Sequence, residues 1–212
     1  MTVQWISAPN ATGDVSYPAA PWNMTGQLWL SLFKVRAGDH PDREPGIYGV
    51  ALVKYEEPSP LTYGELLVAR PVNKAVSITD IWVDSAPSMH GGRDLWAIPK
   101  DLCDFSFTST GSGLLTRTLW TAELDGVPIA TASFADASRL VPRLKFKGST
   151  WQQRPASDPN AGEEVTAALV GSSKAAPCRA HWDFNPDGAL GWLAGKRTLA
   201  SFRQADFQMS FG

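Results

Sequence analysis

Cysteine is scarce in this sequence. Two residues in 212, Cys103 and Cys178, are too few to staple a secreted fold and do not form a CxxC pair. Free thiols and a cytoplasmic location are therefore expected. The three histidines, His40, His90 and His181, lie far apart with no HxH or HExxH spacing, so neither a metal site nor a cofactor is expected. A basic excess is also missing: nineteen Lys and Arg face twenty-one Asp and Glu, a formal net charge of −2. That balance argues against a nucleic-acid partner or an anionic membrane surface, both of which call for a positive field. Long apolar runs are absent too, the stretch 28–33 falling far short of the roughly 18 to 20 residues that span a bilayer. Met1 is followed by Thr2-Val3-Gln4-Trp5 rather than a basic leader, and the expectation is a soluble, unexported protein.

What the sequence does contain is apolar and aromatic. Hydrophobic residues make up 43%, with nine Trp and nine Phe, enough for a sizeable core in a single domain over 1–212. Eighteen Gly and sixteen Pro break this material into short runs, the texture of a mainly β chain. Candidate strands cover 27–35, 47–55, 64–70, 76–83, 114–124, 129–134, 143–146, 150–154, 163–169, 181–184 and 200–211, with loops at 14–21, 38–45 and 155–162. So many half-apolar strands can be buried only by closure into a barrel or by face-to-face packing in a sandwich. Asp125-Gly126 between apolar runs reads as a hairpin turn, and Asn185-Pro186-Asp187-Gly188 as a strand stop. One helix is expected over 88–98, with Ser88 as cap and Pro99 ending it.

The informative segment is Gly91-Gly92-Arg93-Asp94-Leu95-Trp96-Ala97-Ile98-Pro99-Lys100-Asp101, preceded by Tyr63-Gly64-Glu65. Gly92-Arg93-Asp94 with Pro99-Lys100 resembles the Gly-Arg-Glu and Pro-Lys elements of the acetoacetate decarboxylase family, and Tyr63-Gly64-Glu65 resembles its Tyr-x-Glu. The likeness extends over roughly 17–211. It implies a closed antiparallel β-barrel with a few short peripheral helices and a homo-oligomer. It also implies an enzyme in which Lys100 forms a Schiff base with a small carbonyl or keto-acid substrate, in decarboxylation or in related aldol, dehydration or cyclisation chemistry. Such a lysine must lose its proton, by burial or by a neighbouring cation, and acetoacetate decarboxylase is itself a known case of this activation.

The sequence departs from the family pattern in three places. Asp101 stands where the pattern has a second lysine, and a carboxylate close to Lys100 would favour its ammonium form. The stretches 23–27 and 48–51 lack the substrate-holding arginine and acidic residue, which points to a larger, less charged substrate. An outward Asp101, bracing the turn, leaves the nucleophile unopposed.

Period-two alternation puts Tyr63, Glu65 and Leu67 on one strand face. If that face is interior, Glu65 moves a proton beside Lys100; if exterior, it is a solvated strand residue. Tyr63, Trp96 and His90 are placed at the pocket, although a histidine in a Gly-rich loop is more often merely exposed. Arg93 and Asp94 read as a charged pair that, with Pro99 and Asp101, supports the turn. Lys145 and Lys147 read as a solvated strand face. The alternative to an enzyme is a barrel that holds an apolar ligand without using Lys100.

Overall fold

The computed structural model describes residues 3–10, 13–112, 114–138 and 141–212, and most of them are in strands. A hairpin of β1 (Trp5–Asn10) and β2 (Gly13–Pro18) leads into β3 (Trp22–Val35), β4 (Gly46–Glu56), β5 (Gly64–Val72) and β6 (Ala75–Val83). Helix α1 (Ala86–Trp96) and the short β7 (Lys100–Leu102) follow. Then come β8 (Asp104–Ser112), β9 (Leu115–Leu124), β10 (Val127–Asp136), β11 (Arg143–Gln153), β12 (Glu164–Pro177), β13 (Arg179–Phe184) and β14 (Thr198–Phe211). Seven strands close a barrel in the order β11-β12-β14-β3-β4-β5-β6, with β6 returning to β11 and β7 added beside β6. Strands β8, β9, β10 and β13 form a second, antiparallel sheet.

Two cores follow from the alternation of side chains across β3 to β6. Trp22, Met24, Val53, Tyr55, Ile81 and Val83 point into the barrel and meet Trp96, Ile98 and Phe207. Trp29, Phe33, Tyr48, Val50, Leu52, Leu66 and Val68 point the other way and pack against Trp120, Ile129, Phe134 and Phe184 of the second sheet. Buried on both faces, these strands read as nearly continuous apolar runs. The expected barrel and the expected face-to-face packing therefore occur in one molecule.

Several expectations are corrected in detail. Residues 14–21 are not simply a loop: Asp14 to Pro18 belong to β2, and Tyr17 is buried against α1. Strand β8 escapes the sequence reading, although Phe105 and Phe107 alternate with small polar residues in it. The two strands expected at 143–146 and 150–154 are one, because Gly148 stays within the β11–β12 ladder. Helix α1 starts earlier than expected, capped by Ser85, whose hydroxyl accepts from the Ser88 N–H at 3.3 Å. The 3-10 turn Gly191–Leu193 adds to it as short peripheral helical structure. The Asp125-Gly126 hairpin turn occurs as expected, with φ of 52° and 76° that suit a tight β9–β10 turn.

The seam of the barrel lies between β6 and β11, which run parallel and share the pair Thr150 and Val76. A buried side-chain amide extends the pairing there. Gln152 Oε1 accepts from the Ile78 N–H at 2.8 Å and from Ser77 Oγ at 3.1 Å, and Nε2 donates to the Ile78 carbonyl at 3.0 Å. Replacing Gln152 by leucine keeps the volume and strands both Ile78 backbone groups, so Gln152→Leu is expected to lower stability by about 2 to 3 kcal/mol. Urea denaturation reads this directly, and an unchanged midpoint would show that the seam does not depend on the amide.

Candidate active site

Lys100 enters the barrel because of the three elements before it. Ser85 starts α1, and Ala97 ends it in a left-handed conformation with φ of 53°, its N–H donating to the Arg93 carbonyl. Pro99, which cannot continue a helix, then leads into β7. Pairing of Lys100 with Ile81 fixes the backbone, so the exposed Pro99 is followed by a side chain that points inward. Gly92 makes room for it: a Cβ on Gly92 would come to 2.8 Å from Lys100 Cδ. Gly91 does the same for Trp22 and Tyr17, with Cβ approaches of 2.7 and 2.9 Å. Both glycines of the motif are therefore sites of close packing on one helix.

The Lys100 residue is 4% exposed and Glu65 3%. Lys100 Nζ donates to Glu65 Oε2 at 3.0 Å and to Ser88 Oγ at 2.9 Å, with Tyr63 OH at 3.4 Å. Tyr55 OH donates to the other carboxylate oxygen, Glu65 Oε1, at 3.1 Å. The strand parity of Tyr63, Glu65 and Leu67 is inward, and the rings of Tyr55 and Tyr63 lie 4.4 Å apart. Trp22, positioned by donation from Nε1 to the Pro18 carbonyl at 2.7 Å, packs edge-on against Trp96 at 4.8 Å. Lys100, Glu65, Tyr55, Tyr63, Trp22 and Trp96 border a cavity of about 190 Å³, lined otherwise by apolar side chains such as Met24, Ile78, Leu169 and Phe211, with Val76 and Thr150 at the seam.

Burial pulls the Lys100 pKa down, but neighbouring groups outweigh it. The Glu65 charge, and then Tyr63, hold the amine above its ordinary value. Burial, one of the two ways in which such a lysine can lose its proton, is outweighed here, and the balance favours the ammonium form, with Nζ 3.0 Å from the Glu65 carboxyl oxygen. Burial, and then the Glu65 charge, push Tyr55 well above the usual phenol range, so its hydroxyl remains a donor; Tyr63 is raised by burial against the opposing pull of Lys100.

Asp101 faces away from this centre. Its side chain, 64% exposed, pairs with Arg93 on the outer surface. The anticipated Arg93–Asp94 pair does not form: Asp94 Oδ2 accepts from Tyr17 OH at 2.6 Å and the Asp94 carbonyl accepts from Arg154 Nη2 at 3.0 Å. His90 lies half-buried on α1 and is not among the residues lining the cavity. Ser88, expected as a helix cap, instead accepts from Lys100, and the signal that reveals this is Ser85, three residues earlier, as the true cap. Tyr55 is legible by parity with Val53; nothing in the local sequence marks Trp22, Met24 or Thr150. Lys145 and Lys147 are exposed, as their alternation indicates. Ile78 and Ile98 also border an external groove of about 810 Å³ that contains Arg93, Asp101 and Trp151, so they form the wall between groove and cavity.

The barrel, the helix that presents a lysine through a Pro-Lys turn, and the buried lysine–carboxylate pair define a recognisable class. The chain belongs to the acetoacetate decarboxylase family, whose model matches residues 40–196 and so includes Glu65, Ser88 and Lys100. No curated protein matches at a significant level. Among solved structures, acetoacetate decarboxylase is similar with a TM-score of 0.63 at 13% identity, over 92% of this chain and 87% of that one. The enduracididine biosynthesis enzyme MppR complexed with pyruvate gives 0.60 at 13% identity, over 91% and 88%. An acetoacetate decarboxylase-like enzyme from Sphingomonas wittichii RW1 gives 0.57 at 16% identity, over 91% of each chain. These likenesses establish the shared fold.

Two substitutions separate the outer and inner faces of the motif. Asp101→Asn is expected to leave the titration of Lys100 unchanged and to alter stability by about 0.5 kcal/mol, the scale of an exposed ion pair. Gly92→Ala forces the Lys100 stem aside and is expected to cost about 1 to 3 kcal/mol in denaturant unfolding. Equal, small effects for both would contradict the packing described.

Proposed function

We propose that the protein is an enzyme that forms an imine between Lys100 and a small, predominantly uncharged carbonyl compound. The observation that carries this reading is the buried contact of 3.0 Å between Lys100 Nζ and Glu65 Oε2 at the wall of a cavity. Glu65 takes a proton from the ammonium, and the neutral nitrogen attacks the carbonyl carbon. The carbonyl oxygen leaves as water with the two protons that nitrogen loses in passing from ammonium to iminium. The iminium then draws the electron pair of an adjacent bond, and Glu65 carries the proton that this step releases or consumes. Because the iminium is itself the electron sink, the reading calls for no metal or cofactor.

The cavity bounds the substrate. Its volume of about 190 Å³ lies below the ~300 Å³ typical of drug-sized ligands, so the larger substrate expected from the sequence is corrected to a small one, while the expectation of low charge is kept. Among the described residues, Lys100 and Glu65 are the only charged groups in its lining. A substrate carboxylate would meet no cation besides the nucleophile, and the segment in which the family pattern places an arginine contributes Met24 instead. Carbon dioxide release from acetoacetate is therefore expected to be very slow, well under about 1 per second; ordinary turnover near 10 per second would contradict this bound.

A lysine held as ammonium in an apolar cavity also favours a second reading, a barrel that binds a neutral ligand without chemistry. Borohydride trapping separates the two. Incubation with small ketones and aldehydes should give a reduced adduct on the peptide containing Lys100, absent in Lys100→Arg. No adduct across such a panel would overturn the imine reading and leave the binder. The pH dependence has a definite sign: because the Lys100 pKa is raised, trapping should accelerate as pH increases towards and through that value. Glu65→Gln removes the charge that raises it, so the pH profile of trapping should shift to lower pH, even though the variant also lacks the carboxylate that accepts the proton. Turnover of a true substrate should drop on the order of 100-fold in the same variant, since the proton carrier is gone.

A further inference from the structure

The cavity contains one polar group that the chemistry around Lys100 does not use. Thr150 on β11 is 4% exposed and lines the cavity, yet its Oγ1 has no hydrogen-bond partner among the described residues. Several polar side chains in that lining already have partners: Lys100 bonds Glu65, Ser88 and Tyr63, Tyr55 bonds Glu65, and Trp22 bonds the Pro18 carbonyl. Thr150 pairs across the sheet with Ala167 and at the seam with Val76. Its cavity neighbours on that side, Val76, Ile78 and Leu169, are apolar. A valine would fill the same space and suit the strand equally well without placing an unpaired hydroxyl away from water. Buried hydroxyls are ordinarily bonded, and an uncommitted one in a cavity wall is the kind of group by which such sites orient their ligands.

We propose that the Thr150 hydroxyl hydrogen-bonds a neutral polar group of the substrate, so that the substrate class is a small carbonyl compound bearing a second oxygen, such as a hydroxyketone. This rests on the imine reading and refines it. Lys100 takes the reacting carbonyl, and Thr150 accepts from or donates to the second oxygen. Specificity then follows from the unpaired group: a ligand with a methyl where that oxygen belongs leaves the hydroxyl unsatisfied, and sites built to bond a hydroxyl discriminate strongly against analogues without it.

The test pairs ω-hydroxy methyl ketones of four and five carbons with the alkyl methyl ketones in which a methyl replaces the hydroxyl. Calorimetric affinities are measured for wild type and for Thr150→Val, a replacement of equal volume, alongside borohydride trapping at Lys100. Wild type should prefer at least one hydroxyketone over its isostere, and in Thr150→Val that preference should fall about tenfold while binding of the alkyl ketone holds or improves. The same preference in both proteins, no preference in wild type, or no binding of any of the four ketones overturns the role of Thr150. Preferential binding that depends on Thr150 but gives no reduced adduct supports the polar contact and overturns the imine chemistry alone, so the two failures are distinguishable. Thr150→Ser, which restores the hydroxyl, should restore the preference.

Discussion

An ammonium and a carboxylate buried together in an apolar barrel must satisfy each other, because each alone would be stranded from water at a cost of several kcal/mol. The surroundings of Lys100 and Glu65 are arranged around that constraint. Ser88 and Tyr63 take part of the ammonium's hydrogen-bonding capacity, and Tyr55 occupies the second carboxylate oxygen. Gly92 leaves space for the lysine stem, and β7 fixes its backbone beside β6. Glu65 sits one strand further on, held at the inner face by its pairing with Val53 and Val83. Each of these elements has an ordinary local cause, and the pair is where they converge.

The pairing has a chemical consequence. A lysine made neutral only by burial would be poised for attack before any carbonyl arrives. Here the neighbouring carboxylate favours the protonated nitrogen and also places a proton acceptor 3.0 Å away. In the chemistry proposed for this pair, resting and reactive states differ by one proton moved across a single hydrogen bond. The charge of Asp101 belongs to a separate structure on the outside, where it holds Arg93 and the end of α1 rather than Lys100.

Much of this arrangement is legible in the chain, and the illegible parts share a cause. Pro99-Lys100 singles out the lysine through its resemblance to the family motif, and strand parity puts Tyr63, Glu65 and Leu67 on one face, leaving the barrel to decide that this face is interior. The barrel strands are legible from their apolar runs. What escapes are contacts made between distant segments: Trp22 meeting Trp96, Tyr17 taking Asp94 away from Arg93, and Thr150 brought to the cavity by the seam with β6. Ser88 is mistaken for the cap because a serine three residues earlier, Ser85, starts the helix and leaves Ser88 inside its first turn. Burial alone predicts a depressed Lys100 pKa, and no local rule shows that the carboxylate which parity places on the inner face lies within 3.0 Å.

The proposed chemistry turns on the protonation of one nitrogen, and that can be observed without a substrate. Carbon-13 labelling of lysine ε-carbons, with Lys100 assigned by its absence in Lys100→Arg, follows the titration by NMR in wild type and in Glu65→Gln. The wild-type signal should titrate above the ordinary lysine value of about 10.4 and move downward in the variant. A wild-type Lys100 that titrates near neutrality, or one that Glu65→Gln leaves unmoved, would contradict the coupling on which the chemistry depends.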